Sequence, residues 1–287
     1  MKKSMLLFLP LIYSCNVYAN KNLCSEKTSA NNAFNNAILA QEWSAKKTPK
    51  KISMRITSKD DYISADSQVE FDDCGTLLHS RAKKTVRSQI NKSILVIQFS
   101  STLDKNHSNW DYSSTFNMSM IENDNARHEL MAQEISGTVL TDGGGRIVRS
   151  EEASDLLVKQ KHQSSKAVTT YLADDAGRLS KAKRVSTLGN DSGNTVYSYG
   201  AKNLLIRTKS GTTTADFTYD NDDRELTSKE VMKSFTTETT TTTCKSWNKF
   251  GRCINAQQNI SILIKDVKKN RDNVYDHVAE IKYDYVY

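Results

Sequence analysis

Tyr219-Asp220-Asn221-Asp222-Asp223-Arg224-Glu225-Leu226 is the stretch on which the reading of this chain turns. Four other octets fall into its register. They are Thr141 to Val148 (TDGGGRIV), Ala173 to Ser180 (ADDAGRLS), Tyr199 to Ile206 (YGAKNLLI) and Trp247 to Ile254 (WNKFGRCI). The second position is Asp142, Asp174, Gly200, Asp220 or Asn248, and an Asp or Asn there bonds the backbone just ahead of it. The fifth is Gly145, Gly177, Asn203, Asp223 or Gly251, residues that tolerate a left-handed backbone. An aromatic before the turn and an apolar residue after it suit cross-strand pairing. Each octet therefore reads as a hairpin turn with its strand ends. Their uneven spacing predicts an irregular antiparallel meander rather than a fixed-period solenoid or propeller.

The flanking sequence agrees. Ile52, Met54 and Ile56 alternate with Lys51, Ser53, Arg55 and Thr57, as in a half-buried strand. Ser93 to Phe99 is a more apolar run and reads as a central strand. Ser114, Phe116, Met118 and Met120 continue the alternation. The threonine tract from Thr236 to Thr243 is β-branched and favours a strand. Two last strands follow, one carrying Ile260, Ile262 and Ile264, the other Ala279, Ile281, Tyr283, Tyr285 and Tyr287. The segments 126–135 and 155–163 fit helix or strand. Ala30 to Trp43 predicts one helix, capped by Ser29 or Asn31, with Phe34, Ala37, Ile38 and Gln41 on one face. The expected fold is mainly β: a twisted antiparallel meander of hairpins with a short N-terminal helix. The chain divides into a leader (1–19), a polar lead (20–50) and a β-rich domain (51–287), with a subdivision near 140 as an option.

Residues 1–19 have the form of a signal peptide. Lys2 and Lys3 precede an apolar core from Leu6 to Tyr13, and Val17-Tyr18-Ala19 suits cleavage before Asn20. The apolar run is short of the roughly 20 residues that span a bilayer. Leu11-Ile12-Tyr13-Ser14-Cys15 also approximates a lipobox, so two routes stand open. One gives a cleaved periplasmic protein, the other a lipoprotein anchored through Cys15 and facing the periplasm. Beyond Ala19 lie Cys24, Cys74, Cys244 and Cys253, an even set suited to two disulfides in an oxidising compartment. Cys244 and Cys253 flank a turn and are paired on that ground, which leaves Cys24 for Cys74.

Net charge is +7 and mean hydropathy −0.60. The basic residues are scattered apart from Lys46, Lys47, Lys50 and Lys51, with no stripe interleaved with aromatics, so nucleic acid is not an expected partner. A basic surface attracted to anionic lipid or cell-wall polymer fits better. The histidines (79, 107, 128, 162 and 277) show no ligand spacing, and no cofactor or metal is expected. No Gly-x-Ser-x-Gly elbow is present. Asp174-Asp175 and Asp220 to Asp223 suggest a calcium loop or a glycosidase pair, but they fall at the turn octets, and a turn role explains them better. Gly143-Gly144-Gly145 lacks the Lys-Ser/Thr of a phosphate loop. Trp110, Tyr112, Trp247, Phe250 and the terminal tyrosines form either a sugar-stacking face or cross-strand pairs.

The octets resemble the tyrosine–aspartate repeats of Rhs-type proteins, with Tyr219-Asp220 the one full match. A narrower likeness rests on Phe71-Asp72-Asp73-Cys74, Tyr219-Asp220, the Cys244–Cys253 hairpin and Ile281-Lys282-Tyr283-Asp284-Tyr285-Val286-Tyr287. On these residues the chain is similar to the YnfC-type family of enterobacterial envelope lipoproteins. The resemblance implies an envelope location and a lipid anchor, and no activity. The expected role is a non-enzymatic binding or structural protein whose partner is an envelope protein or polysaccharide. The alternatives are an immunity protein against a periplasmic toxin and a carbohydrate-active enzyme using Asp174 or Asp220.

Overall fold

The computed structural model describes residues 24–42, 47–234, 236–266 and 271–287. The leader, the cleavage site before Asn20 and Cys15 lie outside the described residues. After helix α1 (Glu26–Leu39) come sixteen strands. These are β1 (Lys51–Ser58), β2 (Ile63–Phe71), β3 (Leu77–Ile90), β4 (Ser93–Asn106), β5 (Asn109–Ile121), β6 (Arg127–Thr141), β7 (Ile147–Val158) and β8 (Lys161–Ala173). They continue as β9 (Leu179–Ser186), β10 (Gly193–Tyr199), β11 (Leu205–Ser210), β12 (Thr213–Tyr219), β13 (Glu225–Lys233), β14 (Thr237–Trp247), β15 (Cys253–Asp266) and β16 (Arg271–Val286). Each strand pairs antiparallel with the next, as a meander does. The meander is not open, however: β1 pairs with β16 from Lys51↔Val286 to Ser58↔Ala279, closing a barrel. Closure satisfies the backbone groups that two edge strands would leave unpaired. Residues 126–135 lie in β6 and its preceding turn, and 155–163 form the β7–β8 hairpin.

All five octets lie at one rim of the barrel. In each, the fifth residue has positive φ: Gly145 82°, Gly177 78°, Asn203 62°, Asp223 58°, Gly251 73°. The second residue's N–H bonds the sixth residue's carbonyl, and the fifth residue's N–H bonds the second residue's carbonyl. This is a tight turn closed by a one-residue bulge. The bulge sets the cross-strand partner. Position one faces position seven (Thr141↔Ile147, Ala173↔Leu179, Tyr199↔Leu205), and position eight turns outward. Phe71 to Leu78 forms a sixth turn of the same kind, with Asp72 at its entry and Gly75 at φ 77°.

Helix α1 begins and ends earlier than the apolar pattern suggests. Ser25 is its cap, accepting from the Thr28 N–H at 3.1 Å, with Glu26 in the first turn. The helix stops where the Asn36 carbonyl accepts from both Ala40 and Glu42 and Gln41 turns left-handed. It lies across the octet rim. Ile38, Leu39 and Ala40 pack on the cluster of Phe71, Leu77, Trp110, Val139 and Ile147. A second core joins Ile56, Ile63, Ala65, Ala256, Ile260, Ala279 and Ile281, near the seam where β1 meets β16.

Both disulfides form as the sequence suggests. Cys24–Cys74 ties the helix's leading residues to the β2–β3 turn, and Cys244–Cys253 bridges the β14–β15 hairpin.

Candidate functional site: the lumen

The two faces of the wall differ in chemistry. On β1 and β16 one face carries Ile52, Met54, Ile56, Ala279, Ile281, Tyr283 and Tyr285; the other carries Lys51, Ser53, Arg55, Thr57, Glu280, Lys282 and Asp284. Side chains two strands apart meet repeatedly on the apolar face, and on the other face the Arg127 guanidinium also reaches Gln98 across β5 at 2.8 Å. Tyr112 of β5 bonds Glu152 of β7 at 2.6 Å, and Arg184 of β9 reaches the same carboxylate across β8. Side chains converge like this on the concave side of a curved sheet, so the apolar face lines the lumen. The outer face holds exposed pairs between neighbouring strands, among them Arg55–Asp66, Lys51–Glu70 and Arg207–Asp216. A charged side chain facing lipid costs roughly 2–4 kcal/mol at the bilayer midplane. Exposed apolar side chains stand among these charges on β8 to β11, namely Val168, Leu172, Val185, Val196 and Ile206.

Towards the far rim the lumen lining is apolar and adaptable on β4 to β7, whereas Lys84 stands opposite Phe99 and Glu230, Glu238 and Thr240 face the lumen on β13 and β14. Opposed pairs are Leu95↔Met120, Ile97↔Met118, Phe99↔Phe116 and Met131↔Val158. Phe99 lies mid-strand, faces inward and is still 39 % exposed, so the lumen is not filled at that level. The far rim is uneven. Strands β9 to β12 run six to eight residues, whereas β4 and β6 run fourteen and fifteen. At about 3.3 Å per residue the low side stands near 20–26 Å and the high side near 50 Å of strand.

Between the helix-covered core and this chamber sits a polar group. Glu152, its side chain 12 % exposed, accepts from Tyr112 and pairs with Arg184, which also pairs with Asp191 at 2.8 Å. Tyr171 shares a bond with Ser150 beside it. Burial, then the Glu152 bond, pushes the Tyr112 phenol well above its ordinary pKa. The Glu152 bond is the main cause that raises the Arg184 guanidinium. Paired and hydrogen-bonded charges of this kind are stable inside an apolar wall.

The octet rim is closed by amide chemistry. Asn31 and Asn35 donate to the Gly144 and Gly145 carbonyls, while Asn32 and Asn36 donate to those of Cys74 and Gly75. The side-chain oxygen of Asn35 also accepts from the Ile147 N–H at 2.8 Å. The pattern N-N-x-x-N-N thus places two stripes of asparagine on one helix, each gripping one turn.

The sequence candidates for chemistry are spoken for. Asp174 accepts from the Arg178 N–H and guanidinium, and Asp220 does the same with Arg224. These bonds hold both carboxyls below the usual range; at Asp174 they outweigh desolvation, the largest single effect and an opposing one. Among the described residues no three His, Cys, Asp or Glu side chains gather as a metal set. His79, His162 and His277 each face one carboxylate, Asp104, Asp155 and Asp60. The aromatics do not form one sugar-stacking face: Trp110 is 1 % exposed and bonds the Leu77 carbonyl, and Tyr112 and Trp247 face the lumen. Sequence reasoning missed Glu152, Arg184 and the asparagine pairs. The N-N-x-x-N-N spacing was a usable signal for the last.

No family model and no curated protein matches this chain. Among solved structures it is similar to a porin-like protein from Bacteroides uniformis, at 10% identity and TM-score 0.44, over 84% of this chain and 98% of that one. A porin-like protein from Bacteroides vulgatus matches at 10% identity and TM-score 0.29, over 65% and 98%. Aeromonas veronii immune modulator A matches at 9% identity and TM-score 0.19, over 83% and 95%.

Proposed function

We propose that this chain is an exported, non-enzymatic envelope protein that holds an acyl-chain-bearing amphiphile in its lumen. The observation that carries the reading is the apolar patch that Leu95, Ile97, Phe99, Phe116, Met118, Met120, Met131 and Val158 present to the lumen near the far rim. The export half rests on the leader at 1–19 and on two disulfides, which suit an oxidising compartment. The ligand half rests on the chamber beyond the Glu152–Arg184 pair. Its inward rows, Leu95–Ile97–Phe99 and Phe116–Met118–Met120, run along the strands and suit an elongated chain. Methionine adapts to chains of different length and unsaturation. The low side formed by β9 to β12 is the way in. Membership of the YnfC-type lipoproteins would add a lipid tether at Cys15.

The test is lipid extraction and mass spectrometry of protein purified from the envelope, with N-phenylnaphthylamine binding to the full chain. Fluorescence enhancement is expected, with displacement by palmitate. Met118→Asp is expected to abolish it, and Gln98→Asp on the outer face to leave it intact. Absence of both co-purified acyl chains and probe binding sinks the reading.

A further inference from the structure

Lys47 and the half-buried Phe250 and Tyr287 meet at the octet rim. A cleft of about 380 Å³ at this rim is bounded by the β14–β15 turn and the last residues of β16, Tyr283 and Tyr285 among them. Phe250 and Tyr287 form its apolar corner, with ring centroids 4.1 Å apart and planes 43° apart. Asn248 fixes the corner by donating to the Tyr287 phenol oxygen at 3.1 Å. Asn255 and Lys282, directly opposite in register, form its floor with Asp284.

The charge around this corner is unbalanced. The Lys47 ammonium stands 5.7 Å from both ring centroids, and that of Lys249 5.1 Å from Phe250. Among the described residues no ion pair occupies Lys47, Lys249 or Lys282, whereas neighbouring Lys50 and Lys51 are engaged by Asp73 and Glu70. Lys249 and Lys282 thus line the cleft with one side-chain carboxylate, Asp284, while Lys47 stands beside its two rings. Aromatic faces beside amide and ammonium donors match the C–H faces and hydroxyls of a sugar ring. The excess positive charge selects sugars carrying acid groups.

We propose that this cleft binds a carboxylate-bearing glycan. One ring packs on the Phe250–Tyr287 corner, its hydroxyls reach Asn255 and Asp284, and its carboxylate lies between Lys249 and Lys282. The site lies at the octet rim, away from the chamber near the far rim, and does not depend on what that chamber holds. A bilayer surface fits less well, because the apolar corner is recessed in a cleft rather than projecting from the wall.

Titration calorimetry of the full chain with trigalacturonate and with neutral maltotriose tests this. Trigalacturonate is expected to bind about tenfold more tightly than maltotriose. Phe250→Ala and Tyr287→Ala should each weaken it about fivefold or more. Lys282→Glu should remove the preference for the acidic sugar while leaving maltotriose unchanged, and Lys229→Glu, elsewhere on the outer wall, should change nothing. Circular dichroism checks each fold, with Phe250→Leu, which keeps bulk but loses the ring, standing in should Phe250→Ala unfold. No binding of trigalacturonate, or a preference that survives Lys282→Glu, overturns the proposal. So does binding to phosphatidylglycerol vesicles lost in these same variants, which would assign the cleft to lipid headgroups.

Discussion

The phenol of Tyr219 donates to the carbonyl of Leu205 at 2.7 Å, joining the first residue of one octet to the seventh of the octet before it. The same bond recurs around the rim: Trp110 to Leu77, Tyr199 to Leu179, Trp247 to Glu225 and Tyr285 to Cys253. The sixth-position arginines lie over the next aromatic, Arg178 over Tyr199 at 4.3 Å and Arg224 over Trp247 at 5.0 Å. Each turn is thereby stitched to its neighbour through a polar tip on a lumen-facing ring. Tyr219→Phe and Tyr199→Phe are each expected to lower unfolding free energy by about 1 kcal/mol in urea titrations, the ordinary net value of such a bond.

Asn35 should matter more than its neighbours on α1. It is 1 % exposed and serves both the Gly145 carbonyl and the Ile147 N–H. Asn35→Ala leaves the buried Ile147 N–H and the part-buried Gly145 carbonyl unbonded, and the expected loss is about 2–3 kcal/mol. Asn31→Ala breaks an exposed bond and should cost under about 0.5 kcal/mol. Equal losses in denaturant melts would refute this placement of the helix.

Two glycines predict opposite mechanisms. A Cβ at Gly177 meets nothing within 4 Å, so Gly177→Ala suffers from its φ of 78° alone and should cost about 1 kcal/mol. A Cβ at Gly137 runs into the Glu151 carbonyl and into the Tyr112 ring at 2.7 Å. Gly137→Ala must therefore displace Tyr112 from Glu152, and a loss above about 3 kcal/mol is expected. Thermal melts of the two variants make the comparison.

Glu225 breaks a rule that four other turns obey. Position seven in those four is Leu77, Ile147, Leu179 or Leu205, each no more than 1 % exposed, and in the fifth it is the disulfide-bonded Cys253. Glu225 instead puts a carboxyl into the lumen, where water reaches it but the surrounding wall and the charge of Glu42 raise its pKa above 4.5. The folded form then holds its proton more tightly than the unfolded chain. Stability from this group is full below pH 4.5 and declines as pH rises through the folded value. Glu225→Leu should remove that decline and raise stability at pH 7 by about 1 kcal/mol. Melting temperatures measured between pH 4 and 8 decide it, and an unaltered profile would falsify the assignment.

Asp220 behaves in the opposite sense. The Arg224 N–H leads the bonds that hold its pKa below 3.8. Its contribution is present above that value and lost as pH falls through the folded one. Asn248 performs the same turn duty without ionising. Asp220→Asn should therefore keep the fold and blunt the acid limb of the stability profile, which acid titration by circular dichroism would follow.

Much of the local architecture was legible because a turn announces itself within eight residues. Asp142, Gly145 and their counterparts needed no tertiary context. Residues 126–135 resisted because the bulge near Leu130 breaks the alternation that Met131 and Ile135 would otherwise show. The asparagines of α1 looked like a polar lead because amide-to-carbonyl bonds leave no hydrophobic period. Closure of the sheet was out of reach for a different reason. It depends on Lys51 meeting Val286, and no local pattern records a partner that distant. The candidate lumen was half-visible: Phe116, Met118 and Met120 were placed on one face, but not which face the barrel would enclose.

The seam between β1 and β16 also sets the order of assembly. A chain emerging N-terminus first presents β1 long before residues 279–286 arrive to bond it. Until then each hairpin can zip to the one before, yet the growing sheet keeps two raw edges and an unshielded apolar face. That interval is when it can pair with another copy of itself. The final tyrosine-rich strand is therefore the latch that ends the molecule's most vulnerable moment, and a nascent chain stalled before it is the species a chaperone must guard.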